Sequence, residues 1–190
     1  MAHGLTVEKS YSKGSIKGNN NVGGVLGEAY YATLLETYST SNLNGKDNIG
    51  GILGKDRGGN NFKDCYAKNN VVATAGTAGG FIGFYTDVAA DEEIENCYAV
   101  NPTLTGTTVG GFIGTSDKTQ GSKAKSSYWD KTVSGVATSF NLSNLTAIVG
   151  RTTAEMKNKS TYSGWDFNSV WSISPSKNGG YPYLRNVKLD

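Results

Sequence analysis

Proline, cysteine and histidine are all scarce in this chain, and each scarcity closes a class of structure or chemistry. Three prolines in 190 residues exclude a collagen-like or proline-rich disordered segment. The two cysteines, Cys65 and Cys97, are too few for a disulfide scaffold, and their separation of 32 residues fits no zinc site. The only histidine is His3, at the very start, so a serine or cysteine nucleophile would find no usable base. His-Glu-x-x-His is absent. A net charge of +2 with no basic run argues against a nucleic-acid partner. No stretch approaches the ~20 apolar residues of a membrane span, so membrane insertion is not expected. Residues 1–4, Met1-Ala2-His3-Gly4, lack the charged and apolar regions of a signal peptide. They read as an added start on a piece of a longer protein with flanking domains.

Glycine, by contrast, is abundant: 26 residues, about twice the ordinary share of roughly 7%. Four of its pairs share one frame. They are Val22-Gly23-Gly24-Val25-Leu26-Gly27, Ile49-Gly50-Gly51-Ile52-Leu53-Gly54, Ala78-Gly79-Gly80-Phe81-Ile82-Gly83 and Val109-Gly110-Gly111-Phe112-Ile113-Gly114, with first glycines 27, 29 and 31 residues apart. A second marker precedes each: Ser10-Tyr11, Thr37-Tyr38, Cys65-Tyr66 and Cys97-Tyr98, with Ser127-Tyr128 opening the C-terminal part. Two markers in step define a repeat of about 30 residues, the signature of a solenoid.

Each unit reads as a short strand around the tyrosine, a turn-prone stretch, and a second strand around the glycine pair. The pair is expected where the backbone needs positive φ or close approach. Such a unit cannot bury its apolar face alone, so units stack and share one narrow core. Parallel coils ~4.8 Å apart place equivalent residues in ladders. The expected interior ladders are Val25/Ile52/Phe81/Phe112 and Ser10/Thr37/Cys65/Cys97, with the tyrosines on the other face or at a corner. The cysteines then fill a slot that otherwise holds Ser or Thr, as buried thiols. The fold class is all-β: a parallel β-solenoid, a right-handed β-helix of about four to five coils, closed by a C-terminal cap. Residues 5–126 form the repeats, and 127–190 the last coil and the cap. All three tryptophans lie between 129 and 171. Thr152-Thr153-Ala154-Glu155 is a capping box that starts the cap's one short helix.

The repeated apolar-Gly-Gly-[Val/Ile/Phe]-[Leu/Ile]-Gly with its Cys-Tyr or Ser-Tyr element resembles the GLUG motif. The tail is similar to the ending that follows such repeats: Tyr128-Trp129-Asp130, Thr152-Thr153-Ala154-Glu155-Met156, Gly164-Trp165-Asp166-Phe167, Val170-Trp171 and Gly180-Tyr181-Pro182-Tyr183-Leu184. The resemblance implies a bacterial surface or secreted protein, adhesin-like, or the non-catalytic part of an IgA1-specific metalloprotease. It attaches no catalytic residue to the motif.

No catalytic, cofactor-binding or metal-ligating set is assigned, and the chain itself is not read as an enzyme. The glycine pairs are not phosphate loops, since no Lys-Ser/Thr follows and no helix opens there. Asp64, Asp117 and Asp130 share no repeat position, which leaves a polysaccharide-acting β-helix enzyme as a third reading. The run Asp91-Glu92-Glu93-Ile94-Glu95 faces solvent or, alternatively, holds Ca²⁺. Asn141-Leu142-Ser143 and Asn144-Leu145-Thr146 match the glycosylation pattern by coincidence. Two functions are carried forward: an extracellular structural spacer, and an adhesin-type module that binds a host protein or glycan. Its candidate surfaces are the loops at 55–61, 84–93 and 115–125, or aromatics stacked on sugars.

Overall fold

The computed structural model describes residues 1–86, 92–117, 123–139 and 146–189. The chain winds as a parallel β-solenoid of four complete coils and a partial fifth. A coil holds five short strands; the second runs Leu26–Tyr30, Thr33–Leu35, Tyr38–Ser39, Asn42–Gly45 and Asp47–Gly50. Equivalent strands stack into five parallel sheets, the faces of the coil.

The expectation of two strands per unit is thereby corrected. The tyrosine marker lies on the third face, as read. The glycine pair does not sit within one strand: Ile49-Gly50 ends the fifth face and Leu53 begins the next coil, with Gly51-Ile52 as the bend between. Strands such as Thr33–Leu35 and Asn42–Gly45 carry no shared motif, because their inward residues need only be apolar.

Register is kept through every coil. Tyr11, Tyr38, Tyr66, Tyr98 and Tyr128 are successive partners. Leu53 pairs with Ile82, whereas Phe62 pairs with Ile94, so the added length of the fourth coil falls between its first and second faces. The glycine pairs are there for close approach: none has positive φ. A Cβ on Gly51 would stand 2.6 Å from the Ala67 side chain.

The lumen is a ladder core. Ile52, Phe81 and Phe112 are fully buried and Val25 packs against them. The Phe81 and Phe112 rings stack at 4.7 Å, a pair that adds about 0.5–1.5 kcal/mol beyond its buried area. Of the second expected ladder, Thr37, Cys65 and Cys97 are 0% exposed, as is Ser127 at the same repeat position, whereas Ser10, in the first coil with no coil stacked before it, is only half-buried. Cys65 and Cys97 are free thiols that donate to the Lys63 and Glu95 carbonyls at 3.3 and 3.2 Å. Burial pushes the Cys97 thiol up, and a protonated, inaccessible thiol is unreactive. Neither cysteine is therefore expected to react with an aromatic disulfide reagent until the chain unfolds. Titration with and without denaturant checks this, and one rapidly labelled thiol in the native protein would contradict it.

An interior polar ladder escaped the sequence reading. Asn69 Nδ2 donates to the Gly51 carbonyl at 3.0 Å, and Asn101 Nδ2 to Asn69 Oδ1 at 2.9 Å and the Gly80 carbonyl at 3.2 Å. These buried amides bond to one another and to the bend carbonyls, and so hold the glycine corners against the third face. Their recurrence three residues after the marker tyrosine was the available signal.

The C-terminal part closes the coil and then does more. Trp129 takes the lumen position held by Ala67 and Ala99 in earlier coils, covering the last glycine corner at Gly111. Among the described residues two short α-helices form where one was expected. Lys131–Ser134 (α1) is capped by Asp130, which accepts from Thr132 N and Val133 N at 3.0 and 2.9 Å, and ends at Gly135 with φ 68°. Asp130 and Gly135, five residues apart, were its signature. Thr153–Met156 (α2) carries the predicted capping box. Ile148–Arg151 adds a sixth strand beside Ser127–Asp130. From there residues 152–189 fold back along the outside of the third face.

Candidate binding surfaces

The fold-back covers Tyr38, Tyr66, Tyr98 and Tyr128. Their rings stack outside the lumen, Tyr38 on Tyr66 at 4.6 Å and Tyr66 on Tyr98 at 4.9 Å, both within 3° of parallel. Met156, Tyr162, Trp165, Trp171, Tyr181 and Leu184 pack over them as a second core. The polar tips are satisfied across the joint: Tyr38 Oη donates to the Lys188 carbonyl and Tyr98 Oη to the Pro182 carbonyl, each at 2.6 Å. Trp171 Nε1 donates to Asp64 Oδ1 at 2.7 Å, and Tyr181 Oη to Asp130 Oδ2 at 2.8 Å. Asp64 and Asp130 thus serve separate joints. The aromatic sugar platform allowed for in the sequence is not available here, because these rings are buried. Among the large aromatics only Tyr11 and Tyr31, 40% and 46% exposed, are open among the described residues.

The three candidate loops share one place. Residues 55–61, 84–93 and 115–125 all join the first face to the second, so their described parts stack along one corner ridge. The ridge begins with Tyr30 and Tyr31, whose rings lie 4.2 Å apart. Arg57 Nε pairs with Glu28 on its flank. Residues 87–91, 118–122 and both glycosylation-like asparagines lie outside the described residues.

Beneath this ridge sits a buried carboxyl pair. Asp56 Oδ2 accepts from Thr86 N at 2.9 Å and Gly58 N at 3.1 Å, Oδ1 accepts from Asn60 Nδ2, and the Glu92 carboxyl bonds to the same group. Burial pushes the Asp56 carboxyl up to about 6, against the hydrogen bonds that lower it. In the unfolded chain it ionises near its ordinary 3.8, so between these values the folded state keeps a proton that the unfolded state has lost. The stabilisation is therefore complete below about pH 4 and is lost as pH rises through about 6, on the order of 2–3 kcal/mol. Urea midpoints of the parent and Asp56→Asn should converge or cross over this window. A difference constant with pH would refute the raised Asp56 carboxyl.

The rest of the acidic run faces the other way. Glu95 pairs with Lys63 at 3.1 Å and Glu93 with Lys125, outside the second face. Such exposed pairs contribute about 0–1 kcal/mol. Asp91 lies outside the described residues. Among the described residues no cluster of three metal-type ligands occurs, and no helix is long and apolar enough to cross a membrane. A separate concavity of about 320 Å³ opens between α2 and the turn at 173–180, lined by Lys157, Ile173, Ser174, Pro175, Gly179 and Gly180.

No family model matches the chain, and no curated protein matches its sequence. Among solved structures, that of a Bacteroides ovatus protein provisionally named an immunoglobulin A1 protease is similar, with TM-score 0.64 at 21% identity. The match covers 96% of this chain and 58% of the other, so the chain spans a little over half the length of that structure. At this identity the likeness is one of fold: this chain is a parallel β-solenoid of the kind seen there.

Proposed function

We propose that this chain is a non-catalytic structural module of a larger extracellular bacterial protein, holding neighbouring domains apart. The observation that carries the reading is the double core. The lumen ladder runs through all the coils, and the C-terminal segment is laminated onto Tyr38, Tyr66, Tyr98 and Tyr128 along the outside. Coils joined on two sides cannot open singly, which makes the array stiffer than a simple stack of nearest neighbours. The GLUG-like residues and the Bacteroides solenoid support an extracellular bacterial setting.

Forced unfolding of the chain between well-characterised marker domains tests this. A single high-force event that releases the whole array is the expected trace. A staircase of weak steps, one per coil, would sink the spacer reading. A second reading has its own support: connections of unequal length all join the first face to the second, and their described parts share one corner ridge with Tyr30, Tyr31 and Arg57. A screen against glycans and mucosal proteins, immunoglobulin A included, separates the two. A saturable hit weakened by Tyr31→Ala or Arg57→Ala would make the module a binder, and a blank from folded protein leaves the spacer.

A further inference from the structure

The concavity beside α2 holds positive charge that the spacer reading does not use. Two ammonium groups flank the buried Tyr181 ring: Lys157 Nζ at 5.0 Å from its centroid and Lys68 Nζ at 5.8 Å. Lys68 comes from the third coil and reaches the tail, donating to the Asn178 backbone carbonyl at 3.0 Å and Oδ1 at 3.1 Å. Both acceptors are neutral. Neither lysine has a carboxylate partner among the described residues. Burial and the Lys157 charge both push the Lys68 ammonium down, so the protein bears a cost for this charge that a bound anion would relieve.

The cavity wall is built around the same side chains. Gly179 and Gly180 adopt φ of +66° and +90°, and a Cβ there would stand 3.3 Å from Lys68 Nζ and 3.2 Å from Lys157 Cδ. The glycine pair that precedes Tyr181-Pro182 therefore lets Lys157 line the cavity and Lys68 approach it from behind Gly179. Ile173 and Pro175 add apolar lining and Ser174 a polar residue. A volume near 320 Å³ is at the small end of the roughly 300–1,000 Å³ range of small-molecule sites, enough for one ring. We infer that this pocket binds a single carboxylate-bearing sugar residue of the uronic or sialic acid type. Lys157 contacts the carboxylate directly, Lys68 supplies charge from behind Gly179, and the C–H face of the ring lies on Ile173 and Pro175. An acidic peptide fits less well, since strand-like peptide capture needs an open sheet edge or a long groove, and this is a short, half-enclosed cavity.

Titration calorimetry of the whole chain at physiological salt tests the assignment, with glucuronate, N-acetylneuraminate, glucose and tetraglutamate as probes. At least one acidic sugar should bind saturably, and glucose should not. Lys157→Gln should weaken that binding about tenfold or more. Lys68→Gln should weaken it too, and Lys55→Gln, a lysine lying over Phe84 on the first face, should leave it unchanged. Lys157 is exposed, so its variant keeps the fold, which an unchanged thermal melt verifies. The inference is overturned if glucose binds as well as glucuronate, if tetraglutamate alone binds, if no probe saturates, or if Lys157→Gln has no effect. None of these results bears on the forced-unfolding trace.

Discussion

Gly79→Ala is expected to destabilise the array by about 3 kcal/mol, the upper end of overpacking penalties and a large share of the 5–15 kcal/mol that holds an ordinary domain folded. The added methyl would stand 2.6 Å from the Gly114 amide nitrogen and in collision with the Ile82 carbonyl. Both are backbone atoms, so no side-chain rotation can relieve the clash. Gly79 also pairs with Gly50 on one side and Gly110 on the other, so a displaced corner disturbs the coils above and below. The control is Gly135→Ala. Gly135 has nothing within 4 Å of its would-be Cβ, yet sits at φ +68°. Its substitution should cost about 1–2 kcal/mol, for left-handed backbone alone. Urea denaturation of the two variants separates steric from conformational need. Equal losses, or a Gly79→Ala effect under about 1 kcal/mol, would mean that the corner has room and the reading of the repeat is wrong.

The second large effect is expected at Trp171. Its ring is fully buried, 6.1 Å from Tyr66, 6.0 Å from Tyr98 and 4.4 Å from Trp165. Trp171→Ala removes the central ring of the second core, a loss of about 3–5 kcal/mol. The joint should fail before the coils do, so trypsin is expected to cut at Lys157, Lys177 and Arg185 while Lys63 and Lys68 remain protected. Trp171→Phe keeps an aromatic ring but leaves Asp64 Oδ1 without the indole donor, at about 1–3 kcal/mol. If Trp171→Ala unfolds coils and tail together at one denaturant concentration, the two cores are a single cooperative unit. If it costs less than about 1 kcal/mol, the segment is merely resting on the tyrosines and the stiffness argument for a spacer fails.

Much of this was legible in the residues. Periodic markers report what every coil must repeat, so the solenoid, the buried slot of Cys65 and Cys97, the Phe81/Phe112 ladder and the capping box at Thr152 and Glu155 could be read directly. The close approach at the glycine pairs was among the reasons considered, and it proved to be the operative one. The division of a coil into five faces was not legible. Strands of two to five residues are too short to show a period of two, and the faces between markers need apolar residues without needing particular ones.

What the sequence by itself determined is the local and repeating part: most of the residues that face the lumen, where the chain must bend, and that the repeats give way to a different pattern after residue 126. Only the tertiary structure decided what lies against the outside of the tyrosine ladder. A tyrosine repeated every coil is consistent with a solvent-facing stripe or a covered one, since its ring suits both and its hydroxyl finds water or a carbonyl equally well. Tail residues more than 80 positions away choose between them, through bonds such as Tyr98 Oη to Pro182 and Trp171 Nε1 to Asp64. The same fold-back brings Lys68 to Lys157 and the candidate loops' buried partners Asp56 and Glu92 stack across coils. Such pairings depend on where a non-repeating segment comes to rest, or on how far one coil's loop reaches to the next, and no spacing rule within a unit encodes either.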